Sequence, residues 1–313
     1  MFIDTTGCPF TIPVAKIVTG AKTHAYVHYP TMSNDMLNKV TSRRVDFNNK
    51  ELFTSNTLLF RLKVFYYKLF LLCYRICGQF VHVGVGNSNW TTSRIMDVWR
   101  RKDIQVLYPP AAIGNPIIPI EEHERRKVAI VSLAQFRPEK NQELQVRVFS
   151  RVLKSFPNAV FWMMGGCRNA DDEKLIQRLR YIAFEELEIP QSKIEFIVNA
   201  SREEVDRRLR EAQCAIHTMV DEHFGISLLE YLDAQTPIVC HRSGGPELDI
   251  ILPDERYGYL ASSENEFVDK VSFVLGHFDS KEVTEKRLDG FNSLNRFYSD
   301  EQFGLKFASI FLA

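Results

Sequence analysis

Five short apolar runs, separated by four longer stretches of helical pattern, constrain this chain more than any other feature. The runs are VAIVSLA (128–134), AVFWMM (159–164), IEFIV (194–198), CAIHTM (214–219) and PIVC (237–240). The helical stretches lie near 141–155, 171–188, 202–212 and 224–234. Strands that alternate with helices form a parallel sheet wound by right-handed crossovers. The expected fold class is therefore α/β. Ligands bind such sheets in the crevice outside the carboxyl ends of the strands, so the informative residues should sit just after each run.

Upstream the pattern is looser. HAYVHYP (24–30) reads as a buried strand stopped by Pro30, and residues 80–86 as another. Residues 56–77 carry Leu58, Leu59, Leu62, Phe65, Tyr66, Leu69, Phe70 and Cys73 at helical spacing, with Arg61, Lys63, Lys68 and Arg75 interleaved. A helix is expected over NSNWTTSRIMDVW, and IQVLYPP reads as a closing strand. Residues 109–126 hold four prolines and then a charge run, the signature of a linker. The expected organisation is an N-terminal domain over 1–108, a linker over 109–126, a Rossmann-like domain over 127–298 and a C-terminal helix over 299–313.

Length and composition exclude several classes. The 313 residues allow two domains of ordinary size, and the 45% hydrophobic content supports a sizeable core. Lys plus Arg equals Asp plus Glu at 39 each, which argues against a dedicated nucleic-acid binder. Six scattered cysteines with no C-x-x-C pair suit a reducing compartment, so the sequons at Asn89 and Asn199 are expected to be chance. Met1 opens onto FIDTTGCPF, without a basic n-region or a continuous apolar stretch, so no signal peptide is expected. No run of 18 uncharged apolar residues predicts a spanning helix.

The loops after the strands carry the candidate chemistry. QFRPEKN follows the first run and places Arg137 and Lys140 where a helix opens. Unpaired N–H groups and the positive end of a helix dipole favour an anion there, and two cations add to it. An ordinary charged loop reads the same way. GGCRNADDE follows the second run. Its glycines permit close backbone approach, although a tight turn with Asp171 helping to cap the next helix fits equally. It is not a G-x-G-x-x-G dinucleotide fingerprint. DEHFGISLLEYLDA follows the fourth run and brackets Phe224 and Gly225 with Glu222 and Glu230. If the residues between are helical, the two acids lie about 12 Å apart along the axis. Buried carboxylates are costly unless paired, which favours either a ligand or a core ion pair. HRSGGPELDI follows the fifth run, and Ser243, Gly244 and Gly245 form a further turn suited to phosphate or sugar. His24 and His28, on a strand, lie about 13 Å apart, too far for a shared metal. Neither D-x-D nor H-E-x-x-H occurs, so no metal is expected.

Taken together, these segments resemble a known family. EHFGISLLE fits the E-x7-E motif of retaining GT-B glycosyltransferases of family 4. YVHYPTMSNDML, LYPP, QFRPEKN, GGCRNADDE, HTMVDEHFGISLLE and SGGPELDI narrow the resemblance to the α-1,2-mannosyltransferases of asparagine-linked glycosylation, from about Phe2 to the C-terminus.

The resemblance implies a fold of two Rossmann-like domains and a reaction. Mannose would pass from GDP-mannose to a dolichol-diphosphate-linked oligosaccharide as its fourth and fifth mannoses, on the cytosolic face of the endoplasmic reticulum membrane. By resemblance, Lys140 and Arg137 hold the GDP diphosphate, and Glu222 contacts the donor mannose. Glu230 holds the guanosine ribose, and His28 faces the sugar. Phe224, Gly225, Gly244 and Gly245 border the donor site. No cofactor or metal is implied. The implied partners are the lipid-linked acceptor, the membrane surface and other enzymes of the pathway. Residues 56–77 then read either as a basic, aromatic-rich interfacial helix or as a core helix of the N-terminal domain.

Family members carry a Gly-rich loop early in that domain, whereas the first 77 residues here contain only Gly7 and Gly20. The N-terminal domain is therefore expected to be incomplete. Two alternatives stay open: a transferase of the same fold with another donor such as UDP-glucose, and a non-catalytic fragment that binds a nucleotide sugar or a partner.

Overall fold

A computed structural model describes residues 1–7, 9–41, 57–111, 114, 117–119, 123 and 125–312. Cys8, residues 42–56 and parts of the proline-rich stretch therefore lie outside the described residues. The chain divides into two compact units, Met1–Pro109 with Phe303–Ala313, and Pro110–Gln302. The boundary falls inside the PP of LYPP. The C-terminal residues count with the first unit rather than standing apart.

The first unit holds a four-stranded parallel sheet in the order β1-β2-β3-β4. Its strands are β1 (Phe2–Asp4), β2 (Thr23–Val27), β3 (Val83–Gly86) and β4 (Gln105–Val106). β2 is buried at every position, the polar Thr23 and His24 included. Helices α1 (Thr11–Thr19), α2 (Asn34–Thr41), α3 (Thr57–Gln79) and α4 (Asn89–Trp99) connect them. α4 is capped by Ser88, whose side chain accepts from the Thr91 N–H. IQVLYPP contributes only two strand residues, because the prolines that follow cannot donate to a ladder. α11 (Asp300–Phe311) packs Phe303, Phe307, Ile310 and Phe311 against Tyr26, Val85 and Leu107.

α3 uses its apolar residues in two ways. Leu71, Tyr74 and Cys77 face inward, whereas Leu58, Leu62, Phe65, Tyr66, Leu69 and Ile76 are exposed. The described part of this segment thus packs one face into the first unit's core and leaves apolar residues exposed on the other.

The second unit is a six-stranded parallel sheet in the order β10-β9-β8-β5-β6-β7. Its strands are β5 (Lys127–Leu133), β6 (Val160–Gly165), β7 (Ile194–Val198), β8 (Ala212–His217), β9 (Ile238–His241) and β10 (Tyr259–Ala261). The intervening helices are α5 (Gln142–Ser155), α6 (Ala170–Tyr181), α7 (Arg202–Glu211), α8 (Ile226–Asp233), α9 (Glu264–Gly276) and α10 (Lys281–Phe297). All five expected runs are strands. The core on one side of the sheet joins Ile130, Phe161, Met163 and Ile216 to Val146, Phe149 and Val152 of α5 and Val271 and Val274 of α9.

One capping expectation is corrected. α6 is capped by Asn169, whose side chain accepts from the N–H groups of Asp171 and Asp172. Asp171 lies in the first turn, where its charge suits the dipole.

Candidate functional site

The chain leaves the neighbouring strands β5 and β8 in opposite directions, from β5 toward β6 and from β8 toward β9. Where strand order reverses, the loops that follow diverge and leave a crevice at the carboxyl ends. QFRPEKN follows β5 and DEHFG follows β8, so both loops converge on that switch point.

Lys140 ends a single 3-10 turn, Pro138–Lys140, just before α5. The turn passes into the helix through Asn141 at φ 52°. Its main chain is fastened to Thr218, the residue just after β8. The Thr218 hydroxyl lies 2.9 Å from the Lys140 carbonyl and 3.0 Å from that of Asn141, and it accepts from Gln145 Nε2 at 3.0 Å. The Lys140 ammonium lies 2.5 Å from Glu222 Oε2, an ion pair between residues 82 positions apart. Arg137 sits beside it in the loop, half-exposed, with Glu139 at 3.8 Å.

Glu222 is buried, and its Oε2 is also 3.2 Å from Nε2 of His217, the last residue of β8. Burial pushes the Glu222 carboxyl up, but His217 and Lys140 together outweigh it and hold the group well below the usual carboxylate range. The site thus contains a carboxylate that stays ionised despite its burial.

The loop after β9 supports Glu222 from the other side. Ser243 Oγ accepts from the Asp221 N–H at 2.8 Å, and the Gly245 N–H donates to the Glu222 carbonyl at 2.7 Å. A Cβ on Gly244 would lie 2.3 Å from that carbonyl, and one on Gly245 would lie 2.6 Å from Cα of Phe224. What these glycines approach closely is thus the main chain of the Glu222 loop.

Gly225, at φ 104°, forms the N-cap of α8 without any side-chain cap. Since the helix begins only at Ile226, the rise from Glu222 to Glu230 is not one continuous helix. Phe224 is buried, with its ring 5.9 Å from that of Tyr298, so it can offer a ligand only main-chain groups. Glu230 lies within α8 and pairs with Arg202 at the start of α7. Its neighbour Tyr231 is wholly buried, and its hydroxyl accepts from the Leu133 N–H, which ties α8 to the end of β5. His28 belongs to the first unit. It directly follows β2, is exposed, and sets its ring edge-on to Tyr26 at 4.7 Å.

Sequence reasoning overlooked His217, Thr218 and Gln145, and it read Ser243 as facing a phosphate or sugar rather than the Asp221 N–H. A histidine closing the otherwise apolar run CAIH was the available signal for the first. The others act by hydrogen bonds across loops, which no local pattern encodes. Among the described residues, no group of three or more His, Cys, Asp or Glu side chains could hold a metal ion.

Residues 116–283 match the family described as Glycosyl transferases group 1, and residues 1–99 match ALG11 mannosyltransferase N-terminus. A Homo sapiens protein described as GDP-Man:Man(3)GlcNAc(2)-PP-Dol alpha-1,2-mannosyltransferase is 37% identical over 320 residues, covering 99% of this chain and 64% of that protein. A Caenorhabditis elegans protein of the same description is 35% identical over 309 residues, covering 95% and 65% respectively. The chain therefore spans a little under two thirds of these relatives' length. Among solved structures, Anabaena HepE in complex with UDP aligns with a TM-score of 0.74 at 11% identity, over 98% of this chain and 78% of that one. TarM aligns at 0.69 and 16%, over 99% and 54%. These two likenesses concern the fold, which is that of the GT-B glycosyltransferases. With the group 1 match extending over more than half of its residues, the chain belongs to the group 1 glycosyl transferase family.

Proposed function

We propose that this chain is a retaining α-1,2-mannosyltransferase. It transfers mannose from GDP-mannose to a dolichol-diphosphate-linked oligosaccharide, as the fourth and fifth mannoses of the N-glycan precursor. The observation that carries the reading is the meeting of Lys140 and Glu222 at the switch point of the second unit's sheet. A cation for a diphosphate and an ionised carboxylate for a sugar stand within one side-chain length of each other. The names of the relatives suggest the donor and the acceptor.

In this reading Lys140 and Arg137 take the diphosphate, and Glu230 takes the ribose. Glu222 accepts from the mannose hydroxyls. Main-chain groups of Phe224, Gly225, Gly244 and Gly245 border the sugar, and His28 is assigned to it by the family resemblance alone. The bond from C1 of mannose to the diphosphate breaks, and the bond from C1 to the acceptor oxygen forms on the same face. The acceptor proton passes to the departing diphosphate, so no separate general base is required. The protein contributes electrostatics: cations on the leaving group, and a carboxylate near an oxocarbenium-like sugar. With cations meeting the diphosphate, the reaction needs no metal, and transfer is expected to persist undiminished in EDTA.

The working place is the cytosolic face of the endoplasmic reticulum membrane, where other enzymes of the pathway are the natural partners. Among the described residues no helix is long and apolar enough to cross a membrane. The exposed face of α3 supports a peripheral contact with the membrane. It presents Leu62, Phe65, Tyr66 and Leu69 beside Arg61, Lys63 and Lys68, and the helix contains no acidic residue. Apolar side chains inserted at the headgroups and cations on anionic lipid are the two terms of interfacial binding.

Calorimetry with GDP and with UDP, followed by transfer assays on a dolichol-linked acceptor, tests the reading. Preference for GDP together with mannose transfer is expected. Preference for UDP would replace the donor, and nucleotide binding without transfer would reduce the chain to a binding fragment.

A further inference from the structure

This inference rests on the donor reading and deepens it. Oε2 of Glu222 faces two nitrogen groups, Lys140 Nζ at 2.5 Å and His217 Nε2 at 3.2 Å. Only the lysine makes a hydrogen bond. His217 Nε2 is wholly enclosed and out of line for one, so it has no hydrogen-bond partner. Buried ring nitrogens are ordinarily satisfied, and one that stands 3.2 Å from a carboxylate without a hydrogen bond points to a second arrangement in which it makes one.

The two partners differ in freedom. His217 lies in β8, paired in register with Cys240 of β9, and is almost fully buried, so its ring is fixed. Lys140 has a long, partly exposed side chain on a single turn whose main chain alone is pinned. A diphosphate in the crevice draws the lysine away from Glu222. A buried carboxylate deprived of its ion-pair partner is strongly destabilising.

We propose that His217 is the positioning residue that takes over Glu222 when Lys140 turns to the diphosphate. A small rotation of the carboxylate brings Oε2 into line with the imidazole N–H. Donor binding thus exchanges one partner of Glu222 for another. The acid stays ionised, fixed and aimed at the sugar.

Calorimetry of GDP binding to four proteins tests this: the unaltered chain, His217→Leu, Glu222→Gln and the double variant. His217→Leu is expected to weaken GDP about tenfold, close to 1.4 kcal/mol, because Glu222 without a second partner retains Lys140. Glu222→Gln is expected to tighten GDP, since it frees the lysine. In that background His217→Leu should change the affinity by less than about twofold, a non-additivity that marks direct coupling. His217→Gln, which keeps an N–H near the Nε2 position, should restore most of the loss. If His217→Leu fails to melt cooperatively, His217→Met takes its place. Equal losses in both backgrounds would reduce His217 to a packing residue and overturn the inference, as would unchanged affinity in the presence of Glu222. If the unaltered chain bound no GDP, the donor reading would fail and this inference with it. Additive losses on top of clear GDP binding would sink this inference alone.

Discussion

At the residue scale, two side chains carry the proposed chemistry and each gives a distinct expectation. Glu222→Ala removes an ionised, buried carboxylate whose partners stay behind. Transfer should be abolished while the far-UV circular dichroism keeps its native shape; near-normal turnover would remove Glu222 from the sugar site. Lys140→Ala should weaken GDP by about 1.5–3 kcal/mol, the scale of a hydrogen bond to a charged group. Calorimetry measures it, and unchanged affinity would place the diphosphate elsewhere. A third residue contributes to acid sensitivity. His123 is buried beside Arg287 and Arg126, and burial with those two charges pushes its imidazole down to about 4. The unfolded chain protonates this histidine from about pH 6.5 downward. Between those two values the unfolded state binds more protons, so stability falls as pH falls. Urea titrations from pH 7 to pH 4 should show that decline, and His123→Leu should flatten it.

Loops rather than strands hold the candidate site at the element scale. The turn after β9 serves the loop after β8, with Ser243 and the Gly245 N–H bonded to it and Gly244 pressed against the Glu222 carbonyl. Gly244 also has φ 69°, a conformation that costs other residues. Gly244→Ala should therefore destabilise by about 1–3 kcal/mol and reduce transfer more than its stability loss explains. Thermal melts paired with single-turnover rates separate the two effects. The sequence marked the turn as ligand-facing because glycines after a strand look alike whether a phosphate or another main chain approaches them. The strands were legible because each buried run is apolar at nearly every position. β1, β10, α1, α2, α9 and α10 escaped notice. β1 and β10 have only three residues each, too few to show a period. α10 is rich in charged residues, and its buried contacts include Arg287, Gly290 and Ser293, which carry no apolar signal.

Over the whole molecule, the two units should respond to different ligands. GDP is expected to raise the unfolding temperature of the unit built on residues 110–302, by the free energy that ligand binding adds to the native state. Lipid acts on α3 of the first unit. Sedimentation with anionic vesicles should lose the Phe65→Glu and Leu69→Glu variants, while GDP binding stays unchanged. Retained sedimentation of both variants would remove α3 as the contact.

The sequence by itself determined the parallel α/β architecture, the five buried strands and the loops in which Lys140, Glu222 and Glu230 stand. Those features follow from local periodicity and from the rule that such sheets work at their strand ends. The sequence did not determine which of those residues touch. Strand order alone puts β5 beside β8, and with it Lys140 against Glu222 across 82 positions, while Glu230 turns to Arg202. His217 acquired its place beside the same carboxylate in the same way. Contacts between distant loops depend on how crossovers stack strands, and that is a property of the folded sheet.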